Sequence, residues 1–221
     1  MIAEELINQM IPALKPGDTA EKAIIWMEEL KTNQLPVIEK RQFKGLITED
    51  IILESNDLDR KIGEFRLISE QCYVNDSQHL FDIIRLAQEC DSELVAIVDQ
   101  NEEFLGVSRH EDTMRAFANT LAVQGQGGII IMEMRFIDYS MAEISRLIES
   151  DDAKILGFYL SQGHQDPSFV YVTLKINKED LTTIIATLER FNYKIVAKFH
   201  ESTNADTEKE RLDNLLNYLN I

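Results

Sequence analysis

Apolar and polar positions alternate along the first half of the chain in an order that occurs twice. Leu35-Pro36-Val37-Ile38, a charged break at Glu39-Lys40-Arg41, then Phe43 to Ile47 running into Thr48-Glu49-Asp50 reads as strand, hairpin, strand and first helical turn. Val95-Ala96-Ile97-Val98, a polar loop, and Phe104-Leu105-Gly106-Val107 running into Ser108-Arg109-His110-Glu111-Asp112 repeat that order about 60 residues later, a spacing that marks an internal repeat. The helix ahead of each hairpin repeats too. Ala20, Ala23, Ile24 and Met27 fall at i, i+3, i+4, i+7, and so do Leu80, Ile83, Ile84 and Ala87. Each half is therefore a one-sided helix on a small sheet. Halves of this size bury their apolar faces only by packing on each other.

The other segments follow in order. Glu4 to Met10 predicts a short helix, which the prolines at 12 and 16 stop in favour of an extended segment. Asp18 or Thr19 is placed to cap a helix over 20–31, with Trp26 beside its apolar stripe as a core or interface residue. A helix from Thr48 to Glu54 closes the first half. In the second, Leu67-Ile68 and Cys72-Tyr73-Val74 are extended, Leu80 to Glu89 is helical, and a further helix runs from His110 to Val123. Gln124-Gly125-Gln126-Gly127-Gly128 breaks the pattern. It lacks the Gly-Lys-Ser/Thr ending of a phosphate loop and leads into a strand, so it reads as a linker.

Beyond it the elements change. Ile129 to Phe136 is a strand, and Met141, Ile144, Leu147 and Ile148 mark a helix. Ile155 to Leu160 and Phe169 to Ile176 form a hairpin, Leu181, Ile184, Ile185 and Leu188 a second helix, and Lys194 to Phe199 a last strand. That βαββαβ order, over about 75 residues, is the order of a ferredoxin-like sandwich. In the tail Leu212, Leu215, Leu216 and Leu219 stand at helical spacing, with Lys209 and Asp213 as an i, i+4 pair. Such a helix over 201–221 needs a surface to cover, on this chain or on a second copy. The expected class is α+β, with segments 1–60, 61–123, a linker at 124–128, 129–200 and the tail.

Charge and composition narrow the function. With 39 acidic against 22 basic residues the formal charge is −17, which disfavours nucleic acid and anionic membranes and obliges any anionic ligand to find local positive charge. Hydrophobic residues make up 44% of the chain, enough for a globular core, yet no apolar run approaches the ~18 residues of a membrane span. The start, Met1-Ile2-Ala3-Glu4-Glu5, lacks the basic and apolar regions of a signal peptide, and the expectation is a cytoplasmic protein. Cys72 and Cys90 are too few for a disulfide framework and are expected as reduced thiols. His79, His110, His164 and His200 are scattered without metal-ligand spacing, and no nucleophile or carboxylate pair stands out. The expectation is a protein that is not an enzyme.

Residues 1–120 resemble a tandem pair of cystathionine-β-synthase (CBS) domains, a Bateman module. The resemblance is carried by Pro16-x-Asp18-Thr19, Ala23-x-x-x-Met27, Leu35-Pro36-Val37-Ile38 and Gly45-Leu46-Ile47-Thr48, several of which recur in register. Residues 128–200 resemble an ACT domain by order of elements, and the whole is similar in layout to the acetoin-utilisation protein B family. The resemblance implies two β-α-β-β-α repeats packed as a pair, with a ligand-binding, regulatory role. Such pairs bind AMP, ADP, ATP or S-adenosylmethionine in the cleft between repeats. The pattern is Gly-h-x-Thr/Ser-x-x-Asp, whose aspartate takes the ribose hydroxyls while the hydroxyl residue lies near the phosphates.

This chain splits that pattern between its halves. In the first, Gly45 and Thr48 match, but the ribose position is Ile51 and Asp50 stands one place early, turned about 100° away on a helix. In the second, Gly106 and Asp112 match, with Arg109 at the hydroxyl position, where a guanidinium can pair with phosphate. The resemblance thus implies Asp112, Arg109 and Gly106, with Thr48 and Val37 from the first half, as ligand-binding residues. An aspartate in a first helical turn is also stabilised by the helix dipole with no ligand present. Two readings follow: a sensor of an adenosine-type nucleotide that passes the bound state through the linker to the ACT-like domain or to a protein partner, or a structural subunit that dimerises through its CBS and ACT-like domains without ligand. ACT domains often bind amino acids near a glycine after the first strand. The corresponding Asp138-Tyr139-Ser140-Met141 has none, so a dimer-forming role is expected there.

Overall fold

The amphipathic stripes of the helices beginning at Ala20, Leu80, Met141 and Thr182 each pack on a core in the computed structural model, which describes residues 1–120, 125–163 and 166–199. By its internal contacts the chain divides into Met1–Phe117 and Ala118–Ile221. The leucines of the tail, the helix end expected at Val123 and Gln124 of the linker lie outside the described residues.

In the first unit helix α1 (Ala20–Leu30) precedes the hairpin β1 (Gln34–Glu39) and β2 (Gln42–Thr48), closed by α2 (Glu49–Ser55). Its counterpart is β3 (Tyr73–Asn75), α3 (Leu80–Cys90), β4 (Leu94–Val98), β5 (Phe104–Arg109) and α4 (His110–Thr120). The register repeats residue for residue. Leu14 bridges in parallel to Val37, which faces Gly45; Val74 pairs in parallel with Ile97, which faces Gly106; and each hairpin slips register at the next residue. The first hairpin turns on Lys40 and Arg41, both left-handed (φ 51° and 71°), as a two-residue turn matched to strand twist requires.

What makes the halves inseparable is an exchange of short segments. Asn8, ahead of the first repeat, bridges to Val107 of the second, while Ile68, ahead of the second, bridges to Leu46 of the first. The cores follow suit: Leu94 and Val107 of the second repeat lie in the cluster around Leu35, Val37 and Leu46, and Ala3 and Leu6 lie with Leu80, Ile83 and Ile97. The helix expected over Glu4–Met10 is correspondingly only a 3-10 turn, Ala3–Leu6. Asn8 N–H donates to the Val107 carbonyl (2.8 Å) and the Asn8 side-chain oxygen accepts from Met10 N–H (2.9 Å), bonds that a continuing helix would forbid.

Thr19, rather than Asp18, caps α1, its hydroxyl accepting from Lys22 N–H (3.3 Å). Asp18 secures the turn before it. Burial opposes its charge, but the Lys22 ammonium at 2.6 Å and the Lys15 N–H at 2.7 Å outweigh that, holding its carboxyl below the usual pKa. The stabilisation is fully present above the ordinary carboxylate range and fades as pH falls through the lowered folded value. Asp18→Asn is expected to cost about 1 kcal/mol at neutral pH and nothing once acid has protonated the carboxyl, as urea midpoints at the two pH values will report.

In the second unit β6 (Gly128–Arg135), α5 (Met141–Glu149), β7 (Ile155–Gln162), β8 (Phe169–Ile176), α6 (Thr182–Arg190) and β9 (Lys194–Phe199) build one antiparallel sheet of order β7-β8-β6-β9. This is the βαββαβ order expected. Alternate residues Ile130, Met132 and Met134 of β6 meet Ile144, Leu147 and Ile148 of α5 and Ile184 and Leu188 of α6 in one core.

Candidate functional site

The turn from β5 into α4 and its counterpart from β2 into α2 are held alike. His110 N–H donates to the Glu93 carbonyl (2.8 Å), and Glu49 N–H to the Asn33 carbonyl (2.9 Å). Their side chains then diverge. Thr48 caps α2, its hydroxyl accepting from Ile51 N–H (3.3 Å). Arg109 has no hydroxyl to offer, and Thr113 bonds the turn instead, donating to the Arg109 carbonyl (2.9 Å) and sharing a hydrogen bond with Ser108 (2.9 Å).

The Arg109 guanidinium crosses to the other repeat. It donates to the Lys31 carbonyl (3.5 Å) at the C-terminal end of α1, where a cation meets the negative end of the helix dipole, and it lies 3.9 Å from Glu111. Lys31 with Glu49 and Glu93 borders a groove of about 350 Å3 there.

Asp112 faces the other way. Its carboxylate accepts from the Asn8 amide nitrogen (2.8 Å) and lies 3.5 Å from Arg115, with its side chain 30% exposed. Asn8 is fixed on both sides by its bonds to Val107 and Met10, which orient its amide N–H groups toward Asp112. Beside it Ile7 lies over Gly106, close enough that a Cβ on that glycine would meet the Ile7 methyl at 2.6 Å. Asp112, Gly106 and the exchanged segment are thus one assembly. Arg109 leaves the same turn toward different partners.

The first repeat builds the same assembly from hydrocarbon. Leu67 and the Ile68 carbonyl stand over Gly45, and Ile51, Leu67 and Ile68 pack on the first core, so the equivalents of Asp112 and Asn8 are both isoleucines. Val37 is 1% exposed and its side chain is enclosed in that core. Asn8 was not among the residues singled out from the sequence. Its signal was its register with Ile68, visible only once each segment is seen to pair with the opposite repeat.

Elsewhere the chemistry is structural. His79 caps α3, its ring nitrogen accepting from Phe81 N–H (3.2 Å), and His164 and His200 lie outside the described residues. Burial, and then the neighbouring Cys90 thiol, push the Cys72 thiol up, away from a reactive thiolate. Among the described residues no group of His, Cys, Asp and Glu is gathered that could hold a metal ion, and no helix is long and apolar enough to cross a membrane.

Solved structures match about half of this chain. A CBS domain pair/ACT domain protein from Thermotoga maritima matches 55% of this chain and 100% of its own at 20% identity, with a TM-score of 0.52. CBSX2 from Arabidopsis thaliana matches 53% of this chain and 94% of its own at 20% identity and a TM-score of 0.46, and CBSX2 has also been solved in complex with AMP (53%, 96%, 20% and 0.46). No protein-family model matches the chain. At such identities the likeness is one of fold.

Proposed function

Because the chain has the fold of a CBS domain pair, we propose that it is a non-catalytic cytoplasmic regulator that holds an adenosine-type nucleotide at the second repeat. In this reading it works as a homodimer, acts on a protein partner, and passes the ligand-bound state on through the ferredoxin-like unit. Nucleic acid and membranes are not its targets, as a charge of −17 would repel both.

One observation carries the reading. Asp112 stands in the first turn of α4 with its carboxylate already accepting a neutral N–H donor, Asn8, at 2.8 Å. Adjacent ribose hydroxyls are donors of the same kind and fit the same acceptor. The first repeat, with Ile51 in that place, has no acceptor to offer, so one nucleotide per chain is the expected stoichiometry.

Calorimetric titration with AMP, ADP, ATP and S-adenosylmethionine tests it. Two hydroxyl–carboxylate bonds at about 1.5–3 kcal/mol each make Asp112→Ala at least about 100-fold weaker than the unsubstituted chain. No heat at millimolar ligand, or equal affinity in Asp112→Ala, defeats the reading.

A second reading is favoured by the self-contained bonding of the site. Arg109 is engaged by the Lys31 carbonyl and Asp112 by Asn8, so both side chains already serve the packing of the pair. In that case the chain is an assembly subunit without ligand. Native mass spectrometry of the purified protein separates the two, by a retained nucleotide or by bare protein.

A further inference from the structure

We infer that Cys72 and Cys90 form a reversible intrachain disulfide across the core of the second repeat, made by exchange with a low-molecular-weight disulfide such as glutathione disulfide. Neither thiol belongs to the Asp112 site.

Two fixed elements bring the thiols together. Cys72 is fully buried immediately before β3, its N–H donating to the Ser69 carbonyl (2.9 Å) and its own carbonyl accepting from Ala96 N–H (3.0 Å). Cys90 is the last residue of α3, where Asp91 turns left-handed (φ 49°) and ends the helix. Its half-buried side chain packs on the cluster that holds Cys72, Leu80 and Ile83, and the Cys72 thiol lies within hydrogen-bonding reach of it. Packing does not call for sulfur here. Sixty residues earlier, at the same places of the first repeat, stand Pro12 and Leu30. The chain has two cysteines in 221 residues, and both fall in this one contact.

Unequal exposure sets the order of events. Burial, and then the Cys90 thiol beside it, hold Cys72 protonated, so exchange starts at Cys90, the more exposed of the two. The Cys90 sulfur, its proton given to solvent, attacks one sulfur of glutathione disulfide, forming a mixed disulfide and releasing one glutathione thiolate. That step takes the Cys90 thiol away from Cys72 and leaves the nearby Ser92 hydroxyl, which favours the thiolate. Cys72 then loses its proton and attacks the Cys90 sulfur, and the second glutathione departs as its thiolate. Held geometry makes up for a weak nucleophile in this intramolecular step. Both released thiolates take up a proton. Two protein thiols and one glutathione disulfide thus become one protein disulfide and two glutathione molecules, with two electrons passing from the protein to glutathione. The new bond ties the end of α3 to the start of β3. It lies two residues from Ser92, whose hydroxyl bonds the Gln34 side chain of the first repeat (2.9 Å) in the buried seam where the repeats join.

The test is to hold the full chain in glutathione buffers of rising oxidised fraction, block free thiols with N-ethylmaleimide under denaturing conditions, and map the peptides by mass spectrometry. The expected result is joint loss of both maleimide adducts, a peptide linking Cys72 to Cys90, and recovery of both thiols with dithiothreitol. In Cys72→Ala the reaction should stop with glutathione on Cys90. In Cys90→Ser the remaining thiol should react at least about tenfold more slowly than Cys90 does in the parent. Circular dichroism checks the fold of the variants, and the linked peptide of the parent is read whether or not they fold. A parent that accumulates glutathione on Cys90 without the linked peptide overturns the pair. So does a link found only between chains or only in urea, and so do two thiols that stay free at every oxidised fraction.

Discussion

Gly45→Ala is expected to destabilise the first unit by about 3 kcal/mol or more, with no neighbouring substitution able to restore it. Two costs add. Gly45 adopts φ +137°, a conformation that side-chain-bearing residues rarely take, and a Cβ there would meet the Ile68 carbonyl oxygen at 2.7 Å and Leu67 Cβ at 3.0 Å. Neither obstacle yields easily. Ile68 is tied to Leu46 by two backbone hydrogen bonds of 2.8 and 2.9 Å, the bonds through which the repeats exchange segments. The equivalent change in the other half should behave differently. Gly106 lies outside the left-handed region, and its added Cβ would meet the Ile7 side chain alone, the Cγ2 methyl at 2.6 Å. Gly106→Ala should cost about 1–3 kcal/mol, and shortening Ile7 to alanine in the same chain should recover part of it. Unfolding followed through Trp26, the only tryptophan, reports on the first unit alone. A Gly45→Ala chain within about 1 kcal/mol of the parent would mean that Ile68 does not pair with Leu46 in solution.

The contrast between these glycines shows where a sequence is readable. Helix positions were legible because burial follows the stripe: Ala20, Ala23 and Met27 are buried in α1, Leu80 and Ile83 in α3. The sheet of the second unit was legible as well, since Ile130, Met132 and Met134 alternate with more exposed neighbours and the order of elements admits few topologies. The exchange of segments was not. Asn8 and Ile68 each pair through a single bridge to a strand far away in sequence, too short to impose a period-2 pattern, and Ile7–Met10 carries the composition of a helix end. Asp112 could be singled out by its place after Gly106, but its partner could not, because that partner comes from the opposite repeat. Val37 illustrates the converse: the Leu-Pro-Val-Ile run marks a strand reliably, yet periodicity alone does not say that both faces of that strand are enclosed.

Asn8→Asp turns this partnership into a measurable charge pair. The new carboxyl occupies the volume of the amide, so the oxygen replacing the amide nitrogen faces the Asp112 carboxylate at about the 2.8 Å now spanned by a hydrogen bond. At neutral pH the bond is lost and two like charges stand together, offset in part by Arg115 at 3.5 Å from Asp112. With an effective dielectric between that of a protein surface and water the net cost is about 2 kcal/mol. Acid reverses it. One proton shared by the pair rebuilds an O–H···O bond, so the pair holds that proton more tightly when folded than either carboxyl does in the unfolded chain. A group whose folded proton affinity is raised contributes stability that is complete below the unfolded pKa and is lost as pH rises through the folded value. The deficit of Asn8→Asp relative to the parent should therefore be small below the ordinary carboxylate range and grow toward neutrality. Asn8→Ala, which lacks the charge, should show a deficit of about 1 kcal/mol without that step. Urea unfolding of the three chains across the acid range measures the difference directly. A flat difference between Asn8→Asp and Asn8→Ala would mean that Asn8 does not rest on Asp112, and the candidate site would lose the partner that defines it.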